Sequence, residues 1–489
     1  MLKFKSVEKW WYSALLALII VLSVLAMVNG IFSESLLMDE SFFARNLDQF
    51  PQGFYIQSAP SAPLFYVTTY CLISILGNGE FVYRLIPVVS AIAGLIITAL
   101  FISKRFSKFV SLVAVFLLST STVFVHYAGY AHPYTTDFFC SILLLYLVLK
   151  YYENPSQKRW LIIVGVSIIS LLFSFTAFFV VASFGLFVFS CDILNGRSKD
   201  LVRKLFSALP LIVVMVLLII FVYTRHTADR TDMWYWNRYF PAGVGPLAII
   251  KFFYRNTISL LGYFFWNSQN GLIGLFLVIL GTAYFIGKKK FKLCALCWFP
   301  IIVTLIASFL QKWPYGPVRT MLFSMVFFLI LIGGGLELIW QRVNSHFPRI
   351  AVAAALVVLV LPQSWTLKQG FVKIHDSHEA FRTMSEGIRT DIEKNDRFLV
   401  YYGAETRFRY YFHEYVDRAV FQDWKCRENP ELLAEFVRKN LKGGRGRFWM
   451  IFSTAKKTEE DVMISAAQEY ATLVKKYTFP GCSAFLFNQ

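Results

Sequence analysis

The run WYSALLALIIVLSVLAMV, residues 11–28, decides the class of fold. It carries no charged side chain, and three lysines precede it, at Lys3, Lys5 and Lys9. At about 1.5 Å of rise per residue, a helix of this length matches the hydrocarbon thickness of a bilayer. A cleavable signal peptide has a shorter apolar core followed by a soluble domain, whereas here more apolar runs follow. We therefore predict a retained first transmembrane helix.

The composition extends this prediction to most of the chain. Of 489 residues, 57% are hydrophobic and only 16% are charged, and the mean hydropathy is +0.54. One soluble core cannot bury so much apolar surface, so we predict an all-α polytopic membrane protein with about eleven transmembrane helices. The predicted spans are 11–31, 81–102, 109–127, 133–150, 160–174, 175–191, 205–223, 270–286, 292–310, 318–339 and 350–363.

The two short spans at 160–174 and 175–191 depend on a break near Ser174-Phe175-Thr176. Both flanks of this apolar stretch are basic, so the chain has to cross the membrane an even number of times there. The alternative is one long tilted helix, which would invert the topology of everything that follows.

Net charge is +18, a value that suggests a nucleic-acid partner until the positions of the basic residues are considered. They occur in alternate loops between the predicted spans, which is the positive-inside pattern. We therefore expect no nucleic-acid partner, a multi-pass protein of a bacterial inner membrane, and a cytoplasmic N-terminus. The basic residues of these loops are Lys3, Lys5, Lys9, Lys104, Arg105, Lys108, Lys158, Arg159, Arg197, Lys199, Arg203, Lys204, Lys288, Lys289, Lys290, Lys292, Arg342 and Arg349.

Three long segments fall on the predicted outer side. Residues 32–80 contain the acidic pair Asp39-Glu40 and an apolar segment, Pro63 to Leu76, whose length suits a helix lying in the interface. Residues 224–270 are rich in aromatic residues and arginine, which is typical either of an interfacial aromatic belt or of a lid over a lipid-substrate groove.

The third outer segment is the polar tail. We predict a membrane domain at 1–363 and a small external α/β domain at 364–489. Within the tail, 378–394 and 431–442 have helical periodicity, while 397–402 and 448–453 are predicted strands.

Few chemical motifs stand out in the tail. Gly443-Gly444-Arg445-Gly446 lacks the spacing of a nucleotide-binding loop, and His375, His378 and His413 lack metal-site spacing. Cys426 and Cys482 would face an oxidising compartment, and the sequence leaves their pairing open.

Three segments of the first outer loop carry a family resemblance. They are MDESFFAR at 38–45, APSAPLFY at 59–66 and GNGEFVYRL at 77–85. Their order resembles the GT-C membrane glycosyltransferases, in the branch of glycosyltransferase family 39 that includes the dolichyl-phosphate-mannose-protein mannosyltransferases and the aminoarabinose transferases of lipid A. The resemblance continues through His132-Pro133-Tyr134, where relatives often have Arg-x-Tyr, and through the segment 314–319 that ends in Arg319. It covers roughly residues 1 to 340.

Sugar transfer from a polyprenyl phosphate to a hydroxyl needs a base for the acceptor proton and positive charge for the departing phosphate. The resemblance implies that Asp39 is the general base and that Glu40 supports the site, in some relatives through a divalent metal ion. The alternative for Asp39 is a helix N-cap, because an acidic first turn suits the helix dipole.

Several basic residues at predicted outer ends of spans are candidates for phosphate binding. Arginine suits phosphate because its planar fork offers paired donors and stays charged. For Arg84 the alternative is an ion pair with Glu80, one helical turn earlier. The substrate-binding candidates are Arg84, Arg319, Arg45, His132, Lys312 and Tyr134.

These patterns predict an integral membrane glycosyltransferase that uses a polyprenyl-phosphate sugar and a lipid, glycan or protein acceptor. The resemblance also implies inversion at the transferred sugar. Two departures from the relatives matter. His132 replaces an arginine, which bears on donor affinity or on pH dependence, because histidine is largely neutral near pH 7 unless paired. Ser58-Ala59-Pro60-Ser61 lacks the lysine of the lipid A enzymes, which argues against assuming the same sugar. A transporter or flippase is the alternative, but it would show repeat symmetry and ionisable residues near mid-membrane, whereas here the charges lie at the ends of spans.

Overall fold

A computed structural model describes the chain at residues 2–33, 35–50, 62–196, 198–226, 237–241, 245–265, 271–343, 380–426 and 429–489. The chain divides into two compact units. The membrane unit comprises Met1–Ile31 and Ser58–Val372, and the sheet unit comprises Phe32–Gln57 and Lys373–Gln489. The predicted outer segment 32–80 is thus divided, since its first part belongs to the sheet unit. The predicted boundary at 363/364 lies outside the described residues.

The described helices are numbered here in chain order. The first twelve are α1 (Leu2–Ser33), α2 (Met38–Asp48), α3 (Pro63–Leu76), α4 (Glu80–Tyr83), α5 (Leu85–Ser103), α6 (Lys108–Ser119), α7 (Thr122–Ala128), α8 (Tyr134–Glu153), α9 (Gln157–Phe173), α10 (Ala177–Leu194), α11 (Ser198–Ser207) and α12 (Leu209–His226). The remainder are α13 (Pro246–Phe265), α14 (Gly271–Gly287), α15 (Phe291–Phe309), α16 (Met325–Arg342), α17 (Phe381–Arg389), α18 (Glu405–Tyr411), α19 (Pro430–Leu441) and α20 (Lys457–Gln468).

Length and apolar composition identify the helices able to cross a bilayer. Within the described residues there are six, or up to eight if each of two bent pairs is one span. The six are Trp10–Phe32, Leu85–Ser103, Tyr134–Glu153, Ala177–Leu194, Phe291–Phe309 and Arg319–Arg342, and the bent pairs are Lys108–Ser119 with Thr122–Ala128 and Asp200–Ser207 with Leu209–Phe221. Each predicted span up to residue 339 coincides with a helix or a bent pair, whereas 350–363 lies outside the described residues.

The predicted break near Ser174 is present. α9 ends at Phe173 and α10 begins at Ala177. At the break, the Ala177 N–H donates both to the Ser174 hydroxyl at 3.1 Å and to the Ser174 carbonyl at 3.3 Å, so the side chain of Ser174 stabilises the start of α10. Trp160 at the start of α9 donates to Ser207 at 2.9 Å, where α11 ends. The end of α10 is tied to α11 as well, since Lys204 pairs with Asp192 at 2.5 Å. The two helices therefore return to the same end of the membrane unit, and one long tilted helix is excluded.

Glycines allow α14 and α16 to approach closely. A Cβ atom at Gly281 would lie 1.7 Å from the Leu331 carbonyl oxygen, and one at Gly335 would lie 2.2 Å from that of Leu277. Such backbone contact is typical of small residues at helix interfaces in membranes. It fixes α16, which continues directly from the short 3₁₀ helix Arg319–Ser324.

The sheet unit contains five strands, β1 (Arg397–Val400), β2 (Ala419–Phe421), β3 (Arg447–Ser453), β4 (Thr472–Phe479) and β5 (Cys482–Asn488). Their order is β2-β1-β3-β5-β4. β1 is parallel to β2 and β3, with Phe398 opposite Trp449, and β5 is antiparallel to β3 and β4. The predicted membrane protein with a small α/β region is confirmed.

The predicted elements of the tail are present with adjusted ends. The strands predicted at 397–402 and 448–453 are β1 and β3, and the helix at 431–442 is α19. The helix predicted at 378–394 is shorter because α17 ends at Arg389 and a turn follows, while residues 378 and 379 lie outside the description. β4 was missed because its lysines give it little apolar alternation. Cys426 and Cys482 are not joined to each other by a disulfide.

Candidate active site

Arg319 lies at the start of the 3₁₀ helix before α16, next to the first residue of α8. Its guanidinium carbon is 5.6 Å from the centre of the Tyr134 ring, which is a cation–π distance. Both side chains are half-buried. The structure therefore brings together two of the residues predicted to bind phosphate, and it holds the positive charge against an aromatic face.

Further aromatic rings lie next to Tyr134, the partner of Arg319. Tyr130 stacks on His132 with ring centres 5.3 Å apart, and His132 stacks on Tyr134 at 5.6 Å. Tyr127 meets Tyr134 edge-on at 5.0 Å, and the Tyr263 hydroxyl donates to the Tyr127 hydroxyl at 3.4 Å. These five residues are called the aromatic cluster below. It forms because the chain turns between Ala128 and Tyr134, so that successive rings point to one side.

The surroundings of Tyr263 favour its protonated form. Burial raises the pKa of Tyr263, the neighbouring Tyr127 phenol raises it further, and Arg319 acts in the opposite direction. A tyrosine that keeps its proton remains a hydrogen-bond donor, and Tyr263 donates to the Tyr127 hydroxyl. The aromatic cluster therefore places a neutral, hydrogen-bonded pair of phenols near the positive charge of Arg319.

Arg84 lies at the junction of α4 and α5, and it is only 1% exposed. Its Nη1 donates to the Ile31 carbonyl at 3.3 Å. Thr135 in the first turn of α8 donates to the Pro87 carbonyl in the first turn of α5 at 2.8 Å. α5 and α8 therefore start at the same end of the membrane unit, so that Arg84 and Tyr134 lie at that end.

The opposite end of the membrane unit contains the basic loop 104–108. There the Ser107 N–H donates to Glu337, near the C-terminal end of α16, at 2.8 Å. Because Arg319 precedes α16, it lies at the other end of that helix. Arg84, His132, Tyr134 and Arg319 thus share the end away from the basic loop.

Lys312 follows α15 with an exposed side chain. Its neighbours have other partners. The Trp313 ring is 5.2 Å from Phe179, and the Tyr315 hydroxyl hydrogen-bonds Thr257 at 3.0 Å. Lys312 therefore places an exposed positive charge on this loop.

The acidic pair lies on α2 in the sheet unit. The N-cap is Leu37, and the buried Glu40 carboxylate accepts the Leu37 N–H at 2.9 Å. Asp39 is half-buried in the first helical turn, where the helix dipole favours a carboxylate. The N-cap alternative for Asp39 is therefore wrong, because Glu40 performs the capping.

Arg45 lies on the last turn of α2 and pairs with Glu405 at 3.3 Å. Glu405 also binds Arg409 at 2.9 Å. Partial burial and the nearby Arg409 lower the pKa of Arg45, while Glu405 opposes that change. Arginine stays charged in spite of such a shift. Arg45 already has a carboxylate partner, so phosphate would have to compete with Glu405.

Comparison with known proteins agrees with the resemblance seen in the sequence. Residues 60–223 match the family model described as dolichyl-phosphate-mannose-protein mannosyltransferase. The crystal structure of ArnT from Cupriavidus metallidurans in the apo state is similar over 98% of both chains, with 11% identity and a TM-score of 0.58. This chain has the fold of a GT-C membrane glycosyltransferase. No curated protein matches its sequence.

A second ArnT structure, bound to undecaprenyl phosphate, is similar over 96% of this chain and 97% of that one, with 13% identity and a TM-score of 0.57. The predicted resemblance to GT-C transferases and their aminoarabinose transferase branch is confirmed. At these identities the likeness of the structures establishes the fold, so the roles of individual residues are proposed below.

In this GT-C fold the candidate residues fall into two groups, with Arg84, His132, Tyr134, Arg319 and Lys312 in the membrane unit and Asp39, Glu40 and Arg45 in the sheet unit. Within the described part of the chain, no three His, Cys, Asp or Glu residues are grouped as metal ligands. His375 and His378 lie outside that part.

Sequence reasoning missed part of the site. Tyr127 and Tyr130 were missed, although they precede the predicted Tyr134 at helical spacing, a signal that was available. Tyr263 gave no such signal, because it comes from α13, a helix inside the segment 224–270 that was predicted as an outer loop. The aromatic residues of that segment at 234–236 and 266 lie outside the described residues.

Proposed function

We propose that this chain is an integral glycosyltransferase of a bacterial inner membrane that transfers a sugar from a polyprenyl-phosphate donor to a hydroxyl of a cell-envelope acceptor. The sheet unit lies on the outer side and the N-terminus in the cytoplasm. The observation that carries the proposal is the Arg319 guanidinium held over Tyr134, in a chain with the fold of a protein that binds undecaprenyl phosphate.

Arg319 and Arg84 bind the donor phosphate in this proposal. A half-buried guanidinium attracts a phosphate more strongly than an exposed one, because water screens its charge less. Arg84 is almost fully buried and Arg319 is half-buried, so neither side chain has to be ordered on binding. Tyr127, whose hydroxyl accepts from Tyr263, supplies a neutral donor near Arg319. Lys312 and His132 add further charge or hydrogen bonds, and Arg45 does so if it leaves Glu405.

Asp39 is the general base. It accepts the proton of the acceptor hydroxyl as that oxygen bonds to the anomeric carbon of the sugar. The bond between the anomeric carbon and the donor phosphate oxygen breaks, and its electron pair leaves with the polyprenyl phosphate. Attack from the side opposite the leaving phosphate gives inversion. Arginine charge offsets the negative charge that develops on the phosphate.

Glu40 supports Asp39 by holding the first turn of α2 through its bond to Leu37. The acceptor is a lipid, a glycan or a protein of the envelope, since a base and a phosphate site place no limit on the acceptor.

The test uses the full-length protein purified in detergent or reconstituted in nanodiscs. It is supplied with polyprenyl-phosphate hexoses and pentoses, together with lipid, glycan or protein fractions of the envelope. The expected result is release of polyprenyl phosphate from one donor, only when one acceptor fraction is present. The proposal is wrong if every donor stays intact while proteoliposomes containing the protein carry donor lipid from one leaflet to the other.

A further inference from the structure

We infer that Thr406 and Tyr411 of α18 are positioning residues for Asp39, so that the sheet unit sets the place of the base. The inference deepens the proposed function and rests on it. The contacts of α2 with α18 carry it, and all of them lie within the sheet unit.

Two hydrogen bonds hold the chain on either side of Asp39. Before it, the Leu36 N–H donates to the Tyr411 hydroxyl at 2.8 Å. After it, the Ser41 and Thr406 hydroxyls hydrogen-bond each other at 2.8 Å. Leu36 and Ser41 are fully buried. Asp39 lies between these two anchored residues, so the segment that carries its carboxylate is held in place. Its side chain is only half-buried and stays partly accessible.

A third contact holds the far end of α2. Arg45 pairs with Glu405, the first residue of α18. α2 has only 11 residues, and an isolated helix of that length is marginal in water. Its position therefore depends on the partners that α18 supplies.

α18 is itself fixed to the core of the sheet. Phe408 packs against Phe398 of β1 and Phe421 of β2, with ring centres 5.2 and 5.9 Å apart. Arg407 is fully buried and donates to the Ser453 hydroxyl at the end of β3. Thr406 and Tyr411 thus connect α2 to a rigid support.

The position of a general base controls the rate of the step it assists. A base has to reach the proton within hydrogen-bond distance, and a misplacement of about 1 Å can lower the rate about 100-fold. Arg84 and Arg319, the two arginines assigned to the donor phosphate, belong to the membrane unit. A small shift of α2 is therefore expected to lower kcat and to leave the donor KM unchanged.

The experiment compares Tyr411→Phe and Thr406→Val in the full-length protein with Thr406→Ser, which keeps a hydroxyl. Tyr477→Phe is the matched control, because it also removes a hydrogen-bonded phenol of the sheet unit: Tyr477, on β4, donates to Asp391. For each variant, kcat, donor KM, the pH–rate profile and the midpoint of thermal unfolding are measured.

We expect Tyr411→Phe and Thr406→Val each to lower kcat about 10-fold at unchanged donor KM, and to shift the acidic limb of the pH–rate profile. Thr406→Ser restores kcat, and Tyr477→Phe has wild-type kcat. These results would support the positioning role.

Two results would overturn it. One is wild-type kcat and pH profile in Tyr411→Phe and Thr406→Val, while Asp39→Asn is inactive. The other is a fall in kcat that parallels the unfolding temperature equally in Tyr411→Phe and Tyr477→Phe, which indicates loss of fold alone. An active Asp39→Asn protein contradicts the proposed function itself, and so distinguishes the two failures.

Discussion

Arg319, beside the aromatic cluster of the membrane unit, and Asp39, on helix α2 of the sheet unit, are held in place in different ways. Arg319 leads into α16, which packs on α14 through direct backbone contact at Gly281 and Gly335. Asp39 stands on a short helix that side-chain hydrogen bonds attach to α18. Substitutions in the contact between α14 and α16 should therefore impair folding. Substitutions in the contacts around Asp39 should instead displace its carboxylate slightly and leave the fold intact.

The largest expected effect concerns the packing of α14 against α16, the helix that follows Arg319. Gly335→Ala puts a methyl group 2.2 Å from the Leu277 carbonyl oxygen, so α14 and α16 have to separate. Overpacking of this kind costs about 1–3 kcal/mol, and a backbone atom cannot move aside as a side chain can. We expect little folded protein by size-exclusion chromatography and thermal unfolding. Gly165→Ala on α9 is the control, because nothing lies within 4 Å of its Cβ. Equal melting temperatures would contradict the close packing.

Next in size is the removal of charge from the phosphate site. Arg319→Ala should lower donor affinity about 10- to 100-fold, because a hydrogen bond to a charged group is worth about 1.5–3 kcal/mol. The measurement is competition by polyprenyl phosphate against a labelled donor. Arg342→Ala removes an arginine from the other end of α16 and should bind donor normally. Equal donor affinity in both variants would exclude Arg319 from the site.

The aromatic face under Arg319 should contribute less. Tyr134→Leu removes the cation–π contact, which is worth about 0.5–2 kcal/mol, so we expect donor affinity to fall about 2- to 30-fold. Tyr134→Phe keeps the ring and should lose much less. If both variants lose the same affinity in the competition assay, the phenol hydroxyl matters and the ring does not.

The smallest effect is expected for Glu40→Gln. The amide oxygen can still accept the Leu37 N–H, so activity and melting temperature should stay close to wild type. Glu40→Ala removes the cap and should cost about 1 kcal/mol of stability. If Glu40→Gln were as inactive as Asp39→Asn, the negative charge of Glu40 would instead take part in the reaction.

Much of the membrane unit was predictable because apolar runs and basic loops report directly on spans. The break at Ser174 was visible too, since hydroxyl side chains interrupt an apolar stretch there. His132 and Tyr134 lie at the start of α8, and Arg319 lies at the start of a later span, as the order of motifs indicated. These features depend on residues that are close in sequence.

Features built from distant residues escaped prediction. Ser41 and Thr406 are 365 residues apart, and Leu36 and Tyr411 are 375 apart. A single serine or threonine carries no sign of such a partner, so the attachment of α2 to the sheet unit could not be inferred. The sequence indicates Glu40 as a supporting acid, but it does not show that this carboxylate caps α2 by accepting the Leu37 N–H.

The most direct measurement is a single-turnover assay of Asp39→Asn with the donor already bound and acceptor added. Asparagine keeps the shape of the side chain but cannot take a proton. We predict unchanged donor binding and melting temperature, with a transfer rate lower by about 100- to 10,000-fold, the range that general bases contribute. A folded Asp39→Asn protein that binds donor and transfers sugar at the wild-type rate would contradict the assignment of Asp39 as the base.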